Sequence, residues 1–388
     1  MSRPVDGPGR RLGTLGAGTT FLGDPLTTLI DAPPPETDGA LQAAKKSSGG
    51  GLGQYILIRF LLIFPTIFIL VTMVFFLMRI TGDPITAALG GRLPPEQLQE
   101  RIQAAGYDRP IFVQYFEYLG QLVTGNFGTT LSDNRKVTEV LTTYGAATLE
   151  LSINALIVAL LIGIPLGMVA AHRRDHLPDA VLRIFAILCY ATPVFFAGLL
   201  LKLTFSVWLG WLPVAGRAKT SNELALTALQ APSGIYWLDA LRSGNMAALG
   251  DVMAHAVLPA LALGLLTAGI FLRLVRTNVI GTLGRDYVEA GRSRGVSEYR
   301  LVTKHAYKPA LIPIITVMGL QIAVMLGGAV LTEKTFEWKG LGFQLATYLT
   351  ARDFVAVQGI VVLLAVIVAL TNFIVDIIAA LIDPRVRY

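Results

Sequence analysis

Few residues in this 388-residue chain have the type and spacing to carry chemistry: it holds four histidines and one cysteine. His172 and His176 are four apart, which suits one helical face, but no cysteine lies near them and Asp175 is their only nearby carboxylate. They read as solvated loop residues rather than metal ligands. Cys189 lies inside an apolar run, so neither an intrachain disulfide nor a cysteine metal cage can form. The dipeptide Gly-Lys never occurs, so the phosphate-cradling loop Gly-x-x-x-x-Gly-Lys-Ser/Thr is absent and the chain is not expected to hydrolyse ATP alone. Charges at span depth are few: Glu150 at the mouth of the second run, Lys202 near the end of the third and Asp376 near the end of the sixth. An ion-driven carrier places such groups near the bilayer midplane, and none is read there. Glu150 is expected to meet the positive end of a helix, and Lys202 and Asp376 to snorkel or bond a neighbouring helix.

The elements that would position any such residues are membrane spans. Hydrophobic residues make up 53% of the chain and charged residues 15%, with a mean hydropathy of +0.60, whereas a soluble domain is about 25% charged. Uncharged apolar runs recur at 60–78, 151–171, 184–201, 256–272, 309–332 and 354–375. Each has about the 17 to 25 residues that a spanning helix needs. The expected fold is an all-α polytopic membrane protein with six transmembrane helices, a cytoplasmic loop after the fourth and a long extracytoplasmic connection after the first. Residues 1–53 are rich in Gly, Pro, Ser and Thr without a sustained apolar period, and read as a disordered cytoplasmic tail with no signal peptide. Residues 54–388 form the transmembrane domain.

Charge sets the orientation. Lys plus Arg number 32 against 26 Asp plus Glu, and the net +6 suits cytoplasmic flanks better than nucleic acid. The connection 172–176 holds two arginines, and the one after the fourth run holds Arg273, Arg276, Arg285, Arg292, Arg294, Arg300, Lys304 and Lys308. Both connections and both termini, Met1 and Tyr388, are therefore expected in the cytoplasm, with 79–147 outside. Within 79–147, helices are expected over 93–102 and 111–122.

One connection is distinctive. A helix within 285–308 would place Tyr287, Ala290, Gly291 and Arg294 on one face, small in the middle so that another backbone can approach. Gly295 offers a bend, and Ser297 a cap for a second short helix carrying Leu301, Val302 and His305 on one side. The bland reading is a basic amphipathic loop lying on anionic lipid.

Glu289-Ala290-Gly291 with Gly295 resembles the Glu-Ala-Ala, three residues, Gly motif in permease subunits of bacterial ABC importers. Thr81-Gly82-Asp83-Pro84, Gly163-Ile164-Pro165-Leu166-Gly167, Gly340-Leu341-Gly342 and Asp383-Pro384-Arg385 extend the resemblance. They point to the first-permease branch of the dipeptide/oligopeptide/nickel permease family, from Tyr55 to Tyr388. The tail and Pro309, where asparagine is more usual, depart from the pattern. The resemblance implies a subunit in the bacterial cytoplasmic membrane that moves dipeptides or oligopeptides. Implied partners are a second homologous permease, two cytoplasmic ATPases that bind ATP and Mg, and an extracytoplasmic substrate-binding protein. It also implies that Tyr287, Glu289, Ala290, Gly291, Arg294 and Gly295 dock on an ATPase, with no cofactor held by this chain. Alternatives are a nickel or other small-solute importer within the class, and outside it an ion-coupled carrier or a membrane scaffold.

Overall fold

Six prolines and many glycines interrupt the apolar runs, and the way each is accommodated decides the architecture. The computed structural model describes residues 52–80 and 82–382. The expected tail and both termini lie outside them, except that Leu52 and Gly53 already belong to the first helix. The described residues form fifteen α-helices and no strand beyond one isolated bridge between Thr129 and Lys136. Four helices are long and apolar enough to cross a bilayer: α1 (Leu52–Ile80), α5 (Val137–His172), α10 (Met246–Leu283) and α15 (Phe354–Ile382). Two bent pairs raise the number to six if each is one span. One is α6 (Leu177–Ala191) with α7 (Val194–Leu201) and its π-helical continuation to Trp208, bent by 107°. The other lies within α13 (Tyr307–Phe336), whose segments Pro313–Gly319 and Val324–Phe336 meet at 51°.

The third run corrects the expectation of a continuous helix from Ile184 to Leu201. A proline disfavours helical backbone in the residue before it, and Thr192 before Pro193 is extended, at φ −81° and ψ 126°. Helix α6 therefore stops there. Pro65, Pro165, Pro259 and Pro313 stay inside their helices, where packed neighbours tolerate the lost hydrogen bond.

Helix α10 is the most buried of the four long spans and packs along one side of α5, where small residues let the two touch. A Cβ on Gly264 would lie 2.6 Å from the Ala155 carbonyl oxygen, and one on Gly163 would lie 2.8 Å from that of Ala268. This is the close backbone approach that packs helices where apolar burial gives no preference for protein over lipid. The 79–147 connection holds α2 (Pro84–Leu89), α3 (Pro95–Ala104) and α4 (Ile111–Val123), the last two within two residues of expectation. Between α7 and α10 lie α8 (Thr220–Thr227) and α9 (Tyr236–Arg242). Helix α11 (Asp286–Ser293) and the single turn α12 (Glu298–Arg300) precede α13, and α14 (Leu341–Thr350) precedes α15.

Candidate functional site

Helix α11 begins with Asp286 and Glu289 in its first turn, where carboxylates favour the positive helix end. It ends in a Schellman turn: the Gly295 N–H donates to the Arg292 carbonyl at 2.9 Å and the Val296 N–H to that of Gly291 at 3.2 Å. Gly295 sits at φ +77°, the left-handed conformation that glycine adopts without strain. The expected bend is therefore there. The second helix differs from expectation. Ser297 holds the cap position without a side-chain hydrogen bond, and α12 runs through a π-helical stretch, Leu301–Ala306, straight into α13. No separate short helix follows the bend.

One apolar residue fastens this charged segment. Val288 is fully buried and packs with Leu283, Leu301, Val302 and Ala306, in a cluster that reaches Val275, Val279 and Ala171. Burying this valine contributes about 1.5 to 3 kcal/mol to the seating of the helix. His305, expected beside Leu301 and Val302, is exposed instead, because the inward face follows 301, 302 and 306.

Tyr287, Glu289, Ala290, Arg294 and Gly295 are exposed. Gly291 is half-buried and plays a different part from the one expected: its missing Cβ would lie 3.0 Å from Leu301 Cδ2, so its smallness serves internal packing. The outward face is thus Tyr287, Ala290 and Arg294. Arg292 clamps the turn, donating through Nε to Glu298 at 2.6 Å and pairing with Glu289. That hydrogen bond holds the Glu298 carboxyl below the usual glutamate range, with His172 and Arg174 adding to the effect. Glu289, Arg292 and Glu298 share a cleft of about 450 Å³ with His172, Arg174 and His176 of the α5–α6 turn. That turn is itself tied to α10: the buried Asp179 accepts two hydrogen bonds from Arg276, at 2.5 and 2.7 Å.

Where the interior of α5 meets the C-terminal end of α13 lies a buried polar node that the sequence reading missed. Glu150 does not sit at a helix start, because α5 begins at Val137. It pairs with Arg217, whose guanidinium lies 3.6 Å from the Tyr236 ring centroid, and it accepts the Trp237 N–H at 3.3 Å. Burial pushes the Tyr236 hydroxyl up to about 12. Glu333, beyond the end of the fifth apolar run but still inside α13, is fully buried. It accepts the Thr148 hydroxyl at 2.7 Å and the Phe343 N–H at 2.8 Å, capping the start of α14. Trp338 Nε1 donates to the Ala147 carbonyl at 2.9 Å. The signal available was a lone ionisable residue at the rim of an apolar run. Lys202 and Asp376 bond neighbouring helices as expected, to the Thr335 carbonyl at 3.1 Å and to Arg59 at 3.0 Å.

Comparison with known proteins adds a family. Residues 163–388 match the family described as the binding-protein-dependent transport system inner membrane component, and residues 52–138 match its N-terminal part. The chain is 37% identical over 329 residues to the di/tripeptide transport system permease protein DppB of Pseudomonas aeruginosa (strain UCBPP-PA14), covering 84% of this chain and 96% of that protein. It is 34% identical to the dipeptide transport system permease protein DppB of Escherichia coli (strain K12), over 86% of this chain and 99% of that one. To the glutathione transport system permease protein GsiC of Salmonella typhi it is 33% identical, with the same coverage. Among solved structures, the MetNI methionine ABC transporter in an inward-facing conformation aligns with a TM-score of 0.43 at 17% identity, over 61% of this chain and 93% of that chain.

Proposed function

The chain belongs to the family of inner-membrane components of binding-protein-dependent transport systems, and on that premise we propose the following account of its work. It is a multi-pass permease subunit of a peptide-type ABC importer, a class that works with ATPase and substrate-binding partners. Its relatives carry di- and tripeptides, dipeptides and glutathione by name. Those names favour short peptides over nickel as its substrate. It pairs with a second homologous permease, and two ATPases bind ATP and Mg at the membrane's cytoplasmic face, where both termini of this chain also lie. ATP hydrolysis belongs to those ATPases.

The observation that carries the coupling role is the seating of α11. Its Tyr287, Ala290 and Arg294 face is open, while Val288 beneath it packs on the end of α10 and the run leading into α13. An ATPase closing on the open face displaces α10 and α13 together, because rigid packed helices transmit a shift rather than absorb it. Helix α10 is interlocked with α5, and α13 ends in the Glu333 node that caps α14. A push at one end of the bundle thus reaches the far end and alternates the path between its two openings.

Cross-linking tests the docking. With Cys189→Ser as background, Ala290→Cys in the assembled complex should cross-link to an ATPase carrying a cysteine in its groove, and the yield should change with nucleotide. An intact complex that retains uptake yet gives no cross-link from 290, 287 or 294 overturns the role.

A further inference from the structure

Helix α4 has two opposite faces. Phe112, Phe116, Leu119 and Val123 recur at helical spacing along one side, and Phe112, Phe116 and Val123 are among the most exposed apolar residues outside the spans, at 66%, 69% and 89%. The other side carries Gln114, Glu117, Tyr118 and Gln121, which line a polar cleft of about 230 Å³ together with Arg79 and Gln358. Gln358, 6% exposed, and the Tyr118 hydroxyl meet in this cleft, so this side of α4 faces polar groups of the protein. The apolar stripe is therefore turned away from the polar cleft, not toward a protein core.

The level of the helix is fixed by the first span. The Tyr115 hydroxyl meets Thr72 Oγ1 at 2.6 Å, the Tyr118 ring stacks on Phe75 at 5.5 Å, and Gln114 accepts from Arg79 Nε at 3.0 Å. Thr72 lies eight residues before Ile80, the end of α1, so α4 attaches within about 12 Å of that helix end. Met73, Leu77 and Ile80 of the same stretch are also exposed. The apolar stripe of α4 thus lies at the level of exposed apolar residues of α1. The chain turns back after α4 through Gly125, at φ +73°, with the Asn126 N–H bonded to the Gln121 carbonyl at 2.9 Å. Asn126 then lines the cleft and Phe127 packs against the core, while residues 123–126 of the return stay exposed, as suits a turn at the headgroup level.

We propose that α4 is an interfacial helix whose Phe112, Phe116 and Val123 stripe lies among the acyl chains of the leaflet at the C-terminal end of α1. The 79–147 connection then holds a membrane-inserted element. This depends on α1 being a span, not on the peptide substrate or the ATPase docking. Such a helix obtains its affinity from apolar area at the headgroup boundary.

The test uses the full complex in lipid vesicles, with Cys189→Ser as background and an environment-sensitive fluorophore on Phe116→Cys or, in a parallel variant, Phe112→Cys. A label on Gln121→Cys, on the cleft side, is the control. The labels at 116 and 112 should be quenched by lipids carrying a nitroxide on the acyl chain and should lose most of the iodide quenching seen at 121. Iodide quenching at 116 and 112 equal to that at 121 overturns the proposal, since the stripe then lies in water. Protection from both quenchers, with cross-links to the second permease, overturns it in favour of a subunit interface.

Discussion

Replacing Gly295 separates two reasons for its presence. At φ +77° a side chain strains the backbone by about 1 to 2 kcal/mol, more for a β-branched residue and least for asparagine. A Cβ there meets no atom within 4 Å, so no clash inside the protein adds to this. If the strain is relieved by unwinding the turn, the hydrogen bonds from Gly295 and Val296 are lost, at about 0.5 to 1.5 kcal/mol each. The turn population should therefore fall in the order Gly, Asn, Ala, Val, with valine reducing it by about tenfold or more. Recovery of ATPase with the purified permease and ATP-driven uptake should follow the same order, while membrane insertion stays constant. Valine behaving like glycine would refute the coupling role of the turn. Asparagine as damaging as valine would show instead that the ATPase contacts residue 295 itself, and that bulk rather than backbone strain matters.

Other perturbations reach the rest of the frame. Glu333→Ala strands the Thr148 hydroxyl and the Phe343 N–H and should destabilise by about 2 to 5 kcal/mol, seen as a lower unfolding temperature, with Glu333→Gln milder because it keeps one acceptor. Gly264→Val drives a side chain into the Ala155 carbonyl and should lower the yield of folded protein, whereas valine at Gly281, which meets nothing within 4 Å, should be tolerated. The Arg292–Glu298 pair has a depressed carboxylate, so its support is present above the ordinary glutamate value near about 4.3 and is lost as pH falls below it. The pair is exposed and screened, so Glu298→Gln should change stability little at neutral pH and flatten the acid limb of an unfolding profile.

Strong local signals made much of this legible in advance. The four long spans, α3, α4 and the Gly295 turn all rest on local signals: apolar length, proline at a helix start, glycine after a helix end. What escaped was non-local. Nothing in the run around Pro193 distinguishes a proline that breaks a helix from Pro165, which does not, because the difference lies in what packs beside each. Gly291 reads as an open surface until Leu301, ten residues away, is seen beneath it. The partners of Glu150 and Glu333 lie far along the chain, at Arg217 and Thr148, and no spacing rule links them.

ATP-driven uptake into proteoliposomes is the most direct test. With the second permease, two ATPases and the binding protein present, short peptides should enter only when ATP is supplied on the ATPase side, and this chain alone should neither hydrolyse ATP nor move solute down a proton gradient. Gradient-driven peptide uptake by the isolated chain without nucleotide would contradict the importer account.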